Sequence, residues 1–398
     1  RFPWVRLAVE SGENQALISY FANNTRDPDS SLGDLRAQMA AIKLGIRRMQ
    51  DLLGKYSADL LEAVMVERLD QSERRMRSLL RATPEGSSHA VGYLDNDGIN
   101  QEPVRIEVSL QLLSDNITID FTGTSPQMAG GMNCSRTATI AAVIFAVKSA
   151  FDPEGDQTGG CLRPLNIILP PGSAVNPAFP AAVSLRHLAA QRITDTLVRA
   201  LSGLVRDLQV GGSFVGFSSL AAECRHPRNG KMVVMADDLG GGMGGNAQSD
   251  GLSAVDPYLG NVAMLPMEIC ERQYPIRILR TELATDSAGN GQFRGGLGIC
   301  REYEFLDTCD VVFYSEQTRA DFAPWGAEGG ESGSPASLTL IRATGEHISI
   351  TKQRMLVYAG DRLITVTAGG GGWGAPDARN PLAIARDIAE GKISRNRT

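Results

Sequence analysis

The stretch Val104-Arg105-Ile106-Glu107-Val108-Ser109-Leu110-Gln111-Leu112 alternates apolar and polar residues without a break. A period of two puts its apolar set on one face of a strand and its polar set on the other, so it reads as a half-buried strand. Similar runs flank it, Ala90 to Leu94 and Ile117 to Phe121, set off by Asp95-Asn96-Asp97-Gly98 and Ser114-Asp115-Asn116. Both separators are turn sequences, and three short runs joined by turns make an antiparallel meander. Parallel βαβ alternation is not sustained anywhere in the chain, so the expected class is α+β rather than a doubly wound sheet.

Upstream, the period changes to that of a helix. Ser31-Leu32-Gly33-Asp34 fits a capping box, and Leu35, Met39, Ile42, Ile46, Met49 and Leu53 then recur at spacings of 4, 3, 4, 3 and 4. Gly54 suits a stop, and a second helix is expected from about Ala58 to Arg81, with a charge-dense face. The pair reads as an antiparallel helical hairpin packed on the core, with a partner-binding helix pair as the alternative. Arg1 to Leu7, which begin the chain without a methionine, read as a strand already in progress.

Downstream, an Ala-rich helix is expected near Thr137 to Phe151 and another from about Leu185 to Leu208. Strand-like segments punctuated by glycine then run to about Thr367, followed by a helix near Pro381 to Glu390. Three divisions follow: 1–83 with the strand entry and hairpin, 84–210 with the meander and two helices, and 211–398 with the glycine-punctuated strands. The sharpest boundary is Thr83-Pro84-Glu85-Gly86-Ser87-Ser88.

Composition removes several classes of function. The formal charge of −6 over 398 residues argues against a chain whose task is to neutralise a phosphate backbone, so nucleic acid is not the expected partner. No run of 18 apolar residues suggests a membrane-spanning helix. The six cysteines never form C-x-x-C, which fits free thiols in a reducing cytoplasm. Glycine, 43 residues or about 11% against a usual ~7%, falls in clusters between apolar segments, as tight turns and close backbone approaches require. Gly240-Gly241-Gly242-Met243-Gly244-Gly245 has the look of an anion nest, but no Gly-Lys-Ser or Gly-Lys-Thr follows.

The four histidines, His89, His187, His226 and His347, are too far apart in sequence for any H-x-x-x-H or H-E-x-x-H metal motif. His187 is a candidate substrate-binding group because it opens a helix and precedes Gln191-Arg192; the plainer reading is a polar residue at a helix start. Asp120-Phe121-Thr122-Gly123-Thr124-Ser125-Pro126-Gln127 places a carboxylate and three hydroxyls directly after an apolar strand, where binding groups often sit and where turn caps also occur. Ser125 is not in a G-x-S-x-G elbow, so a serine-hydrolase triad is not indicated.

Taken in order, these segments resemble the hydantoinase B/5-oxoprolinase family. The resemblance is carried by Asn23-Asn24-Thr25-Arg26, Leu32-Gly33-Asp34-Leu35-Arg36-Ala37-Gln38, Asp120 to Gln127, Gln191-Arg192-Ile193-Thr194-Asp195, Pro266-Met267-Glu268, Asp286 to Gly298 and Gly369 to Gly374. It implies a B-type subunit working with an ATP-binding A-type subunit of actin-like fold in the cytoplasm. The implied reaction is opening of a cyclic amide such as a hydantoin, 5-oxoproline or a lactam. A related alternative is ketone carboxylation of the acetone or acetophenone type, and a second is a non-catalytic scaffold fragment. Asp120, Gln191 and Arg192 are then expected catalytic residues and Thr122, Ser125 and His187 substrate-binding ones. Asp120 would orient water or ligand, and Arg192 would hold a phosphate or carboxylate bidentately.

A divalent metal, Mn or Zn, is implied as well, on His and Asp residues of a segment preceding Arg1. Here His187-Leu188-Ala189-Ala190 stands where the family usually reads Asn-Val-Glu-Thr-Ser, so a shifted substrate preference is expected.

Overall fold

The computed structural model describes residues 5–9, 12–25, 27–205 and 208–395. Residues 1–4 of the expected entry strand, and Arg26, lie outside the described residues. The chain opens with the short ladder β1 (Ala8–Val9) and β2 (Gly12–Glu13), then α1 (Gln15–Asn23), α2 (Pro28–Lys55) and α3 (Ala58–Ala82). It continues with β3 (Gly86–Leu94), β4 (Val104–Leu113), β5 (Asn116–Asp120), α4 (Arg136–Phe151), β6 (Leu165–Ile168) and α5 (Arg186–Ser202). The rest comprises β7 (Ser218–Arg225), β8 (Met232–Leu239), α6 (Met267–Gln273), β9 (Ile276–Leu283), β10 (Ile299–Phe305), β11 (Cys309–Tyr314), β12 (Ser337–Ile341), β13 (His347–Ile350), β14 (Lys352–Val357), β15 (Arg362–Val366) and α7 (Pro381–Ala389).

The meander forms as its period dictates. β3, β4 and β5 pair antiparallel, with Ala90 opposite Val108 and Leu110 opposite Ile119, and β6 adds in parallel beside β5. Val104, Ile106, Val108, Leu110 and Leu112 are all buried, which is the apolar face of the alternating run. Against that face lies α5, itself buried along most of its length and flanked by α4. Gly92 on β3 makes this close approach possible, because a Cβ there would run into the side chains of Thr196 and Arg192 on α5.

The second half is a two-sheet sandwich. One sheet has the order β14-β11-β7-β8 and the other β13-β12-β15-β10-β9. Leu220, Met235 and Phe313 from the first share a core with Tyr303, Phe305 and Leu363 from the second. A buried polar seam joins this sandwich to the first core: the Asp95 amide at the end of β3 donates to Glu316 Oε2 (2.8 Å), and Lys352 Nζ lies 2.6 Å from Glu316 Oε1.

The glycine clusters meet beside the sandwich. Gly241 exchanges both backbone hydrogen bonds with Val255, and the Gly242 amide donates to the Ala368 carbonyl (2.9 Å). A Cβ on Gly242 would run into the carbonyl of Gly296, so backbone packs directly on backbone here.

Two expectations at the amino-terminal end change. α2 starts at Pro28 rather than after Ser31, because Asp27 accepts from the Ser30 amide (3.2 Å) and Pro28 takes the first helical position. α2 and α3 follow one another as expected, but they do not lie alongside each other, and no residue of α2 is buried. Among the described residues the stripe of α2 and of the first turns of α3 therefore stays uncovered, whereas Met76 and Leu80 near the end of α3 are buried in the first core. α5 also ends earlier than its periodicity suggested, at Gly203.

Candidate functional site

A cavity of about 500 Å³ opens between α4, the first turns of α5, β8, the end of β11 and the loop 259–262. Its walls are mainly apolar, with Ala138, Phe217 and Val262 among them, and its polar groups are Arg186, His187, Gln191, Asp238 and Asn261. A few polar groups in an apolar cleft is the usual make-up of a small-molecule site.

The elements fix each group for a physical reason. Arg186 and His187 occupy the first turn of α5, where the helix offers its positive end. The His187 ring stacks on Phe217 at a centroid distance of 5.6 Å and lies 6.1 Å from the Tyr314 ring, which leaves Nε2 buried without a hydrogen-bond partner among the described residues. Burial holds His187 below its ordinary value of 6.5; the Asp238 carboxylate opposes this and Arg186 reinforces it. The imidazole is thus neutral at pH 7 and able to accept a proton.

Strand alternation supplies Asp238. Neighbouring Asp237 points into the sandwich, where it accepts from Tyr303 Oη (2.8 Å) and the Leu265 amide (2.9 Å), so Asp238 emerges on the cavity side of β8. Its Oδ1 is buried without a hydrogen-bond partner among the described residues, and the Tyr314 hydroxyl faces the same carboxylate.

Gln191, one helical turn beyond His187, ties the loop to α5. Its Nε2 donates to Asp256 Oδ1 (3.1 Å) and to the Pro257 carbonyl (2.8 Å), and its Oε1 accepts from the Leu259 amide (3.3 Å). Burial pushes Asp256 up to about 6, with Val262 N–H opposing and nearby Asp238 adding to the rise. The loop is held under strain as well: Tyr258 sits at φ 59°, and its hydroxyl donates to Asp195 Oδ1 (3.1 Å).

The sequence-derived candidates separate in space. His187 and Gln191 line the cavity. Arg192 is turned into the core, where Nη1 pairs with Asp195 Oδ2 (2.8 Å), and its Nε and Nη2 have no partner among the described residues. Burial raises the Asp195 carboxyl to about 6 even with Arg192 beside it. Asp120, Thr122 and Ser125 lie in a turn away from the cavity: Asp120 Oδ1 accepts from the Thr122 amide (2.8 Å) and hydroxyl (2.6 Å), and Ser125 Oγ accepts from the Arg105 amide (2.9 Å). Asp238 and Asp256 were not singled out in the sequence. Asp238 is signalled only by the paired Asp237-Asp238 at the end of a strand-like run just before the glycine cluster, and Asp256 carries no local signal.

Among the described residues no three of His, Cys, Asp or Glu come together to hold a metal ion. His187 and Asp238 alone do not make a cage for the divalent ion that the family resemblance implies, and no chemistry is routed through one.

The hydantoinase B/oxoprolinase family profile matches residues 1–376. The chain belongs to this family. It is 30% identical over 411 residues to the B-type subunit of a putative D-/L-hydantoinase of Pseudomonas sp. (strain NS671), covering 100% of this chain and 69% of that one. It is 29% identical over 409 residues to the beta chain of the caprolactamase of Pseudomonas jessenii, covering 99% of this chain and 69% of that protein. The fold superposes on the crystal structure of the ATP-dependent caprolactamase from Pseudomonas jessenii with a TM-score of 0.90 at 26% identity, over 100% of this chain and 70% of that one. An acetone carboxylase structure shares the fold at a TM-score of 0.86 and 16% identity, covering 98% of this chain and 59% of that one. The hydantoinase and caprolactamase relatives are thus each one subunit of a larger enzyme. Among the described residues no helix is long and apolar enough to cross a membrane.

Proposed function

We propose that this chain is the B-type subunit of an ATP-dependent cyclic-amide hydrolase, opening a hydantoin, 5-oxoproline or lactam ring with an ATP-binding A-type subunit of actin-like fold. Membership of the family and the likeness to an ATP-dependent caprolactamase support the reaction class. The observation that carries the site is the pair of buried polar atoms without a partner among the described residues, His187 Nε2 and Asp238 Oδ1, on a mainly apolar cavity at the start of α5. An apolar wall suits the methylenes of a small ring, and a polar edge suits its amide.

An unstrained amide resists water, so ATP supplies the driving force by phosphorylating the amide oxygen. Water then adds to the activated carbon, and its proton passes to His187 and on to the ring nitrogen as the C–N bond breaks. C–N cleavage leaves an acyl phosphate and an amine, and a second water hydrolyses the acyl phosphate to the carboxylate and inorganic phosphate. Arg186 and the positive end of α5 hold the departing phosphate, and Gln191 keeps the 256–262 loop closed against the cavity. Six free, buried cysteines fit a cytoplasmic setting for this ATP-consuming complex.

The test is ATP turnover by the reconstituted two-subunit complex with hydantoin, 5-oxoproline and caprolactam in parallel. Stimulation by one of these rings, with stoichiometric ring-opened product, supports the proposal. Stimulation only by bicarbonate plus a ketone replaces it with carboxylation, and no stimulation by any substrate in a stable complex leaves a scaffold.

A further inference from the structure

The uncovered stripe of α2 and α3 needs a partner. Every residue from 40 to 60 is exposed, and Ile42, Ile46, Met49 and Leu53, the continuous edge of α2, keep 64, 54, 41 and 47% of their surface. Helices in water draw most of their stability from burying an apolar face, so an arm that is exposed from residue 40 to residue 60 and anchored only through the buried end of α3 is incomplete alone. Between residues 42 and 66 there are 11 large apolar side chains about half exposed, and Ile42, Ile46, Met49, Leu53 and Tyr56 form one continuous stripe of them. A contiguous exposed apolar surface of this kind marks an interaction site.

The charges beside the stripe indicate what covers it. Residues 40–55 carry Lys43, Arg47, Arg48 and Lys55 against Asp51, a net of +3, whereas residues 58–66 carry Asp59 and Glu62 with no cation, a net of −2. One arm therefore holds a basic half and an acidic half, the pattern a two-fold interface uses, because each half meets its opposite on the other copy.

We propose that residues 40–66 form a self-complementary dimerisation arm, α2 of one copy lying against the start of α3 in a second copy of this chain. The surface lies apart from the cavity, so the proposal stands independently of the reaction assigned to it.

The test is the mass of the full chain in solution at micromolar concentration, by analytical ultracentrifugation. A dimer is expected, weakened more than about 100-fold by Ile46→Glu with Met49→Glu, since each copy then carries charges into an apolar contact. Both positions are exposed in the single chain, so near-UV circular dichroism of the cores should not change. The decisive arm is charge reversal. Lys43→Glu with Arg47→Glu should weaken the dimer, and adding Asp59→Lys with Glu62→Lys should restore it. Restoration within one copy is excluded because α2 and α3 do not lie alongside each other. A wild-type monomer, a dimer indifferent to Ile46→Glu, or a failure of the reversed pair to restore association would overturn the proposal. So would a monomer whose affinity for an ATP-binding partner chain is lost with the same substitutions, since the arm would then serve that partner.

Discussion

Replacing Gly241 with alanine tests whether the glycine cluster is a packed backbone junction or a phosphate cradle. An added Cβ would lie 2.5 Å from Phe214 Cδ1 and 2.7 Å from the Ala368 carbonyl oxygen, against an ordinary contact of at least 3.4 Å. The shortfalls are 0.9 and 0.7 Å. Neither neighbour yields easily: Phe214 is fully buried, and the Ala368 carbonyl accepts from the Gly242 amide. Gly241 cannot retreat either, because it donates to Val255 (2.9 Å) and accepts from it (2.8 Å). Overpacking of this kind costs about 1–3 kcal/mol, and rigid backbone on one side puts Gly241→Ala at the upper end. With a urea slope of about 3 kcal/mol/M, the unfolding midpoint should fall by about 1 M. Gly33→Ala is the control. It lies inside α2 with nothing within 4 Å of its would-be Cβ, so helix propensity alone should raise stability by about 0.5–1 kcal/mol. Fluorescence-monitored urea unfolding of both variants decides the matter. A Gly241→Ala protein with an unchanged midpoint but weakened ATP binding in the complex would refute the packing account.

Three further outcomes follow from the site. His187→Gln should lower kcat of ring opening by about 10²–10⁴-fold with little change in unfolding midpoint, and the wild-type rate should rise with pH through a value below 6.5 and level off by neutrality, since the neutral imidazole is the active form. Asp256, raised to about 6, stabilises the fold most below the unfolded value of 3.8, and this contribution fades as pH rises through about 6. Asp256→Asn should remove that slope from a pH series of urea midpoints. Arg192→Met should cost about 3–5 kcal/mol by stranding Asp195, whereas Arg192→Met with Asp195→Leu should recover most of it, as read from the same unfolding curves.

Much of the architecture was legible because its elements state their own period. The alternation of residues 104–112 gave β4 and its buried face, and the helices at Ala58 and Pro381 begin where caps and proline place them. The candidate site was only half legible. His187 and Gln191 stand out by their position at a helix start, but Asp238 looks like any polar residue at a strand end. Asp120, Thr122 and Ser125 look equally suitable in the sequence, and the structure places them apart from the cavity, with Asp120 Oδ1 accepting from Thr122 and Ser125 Oγ accepting from the Arg105 amide of β4.

By itself the sequence determined the class of fold and the family, because periodicity, turn chemistry and ordered motifs are properties of neighbouring residues. It also determined that the glycines serve close approach, since clusters without a following Gly-Lys-Ser or Gly-Lys-Thr lack the groups a phosphate loop needs. Tertiary structure alone decided where the chemistry can occur. The cavity draws on segments from Ala138 to Tyr314, and which of two adjacent aspartates reaches it depends on which face of β8 meets the sandwich. It decided equally that Arg192 braces the core and that the stripe of α2 remains open. An apolar period shows that a face must be covered, whereas what covers it depends on surfaces brought together by the rest of the fold or by another chain.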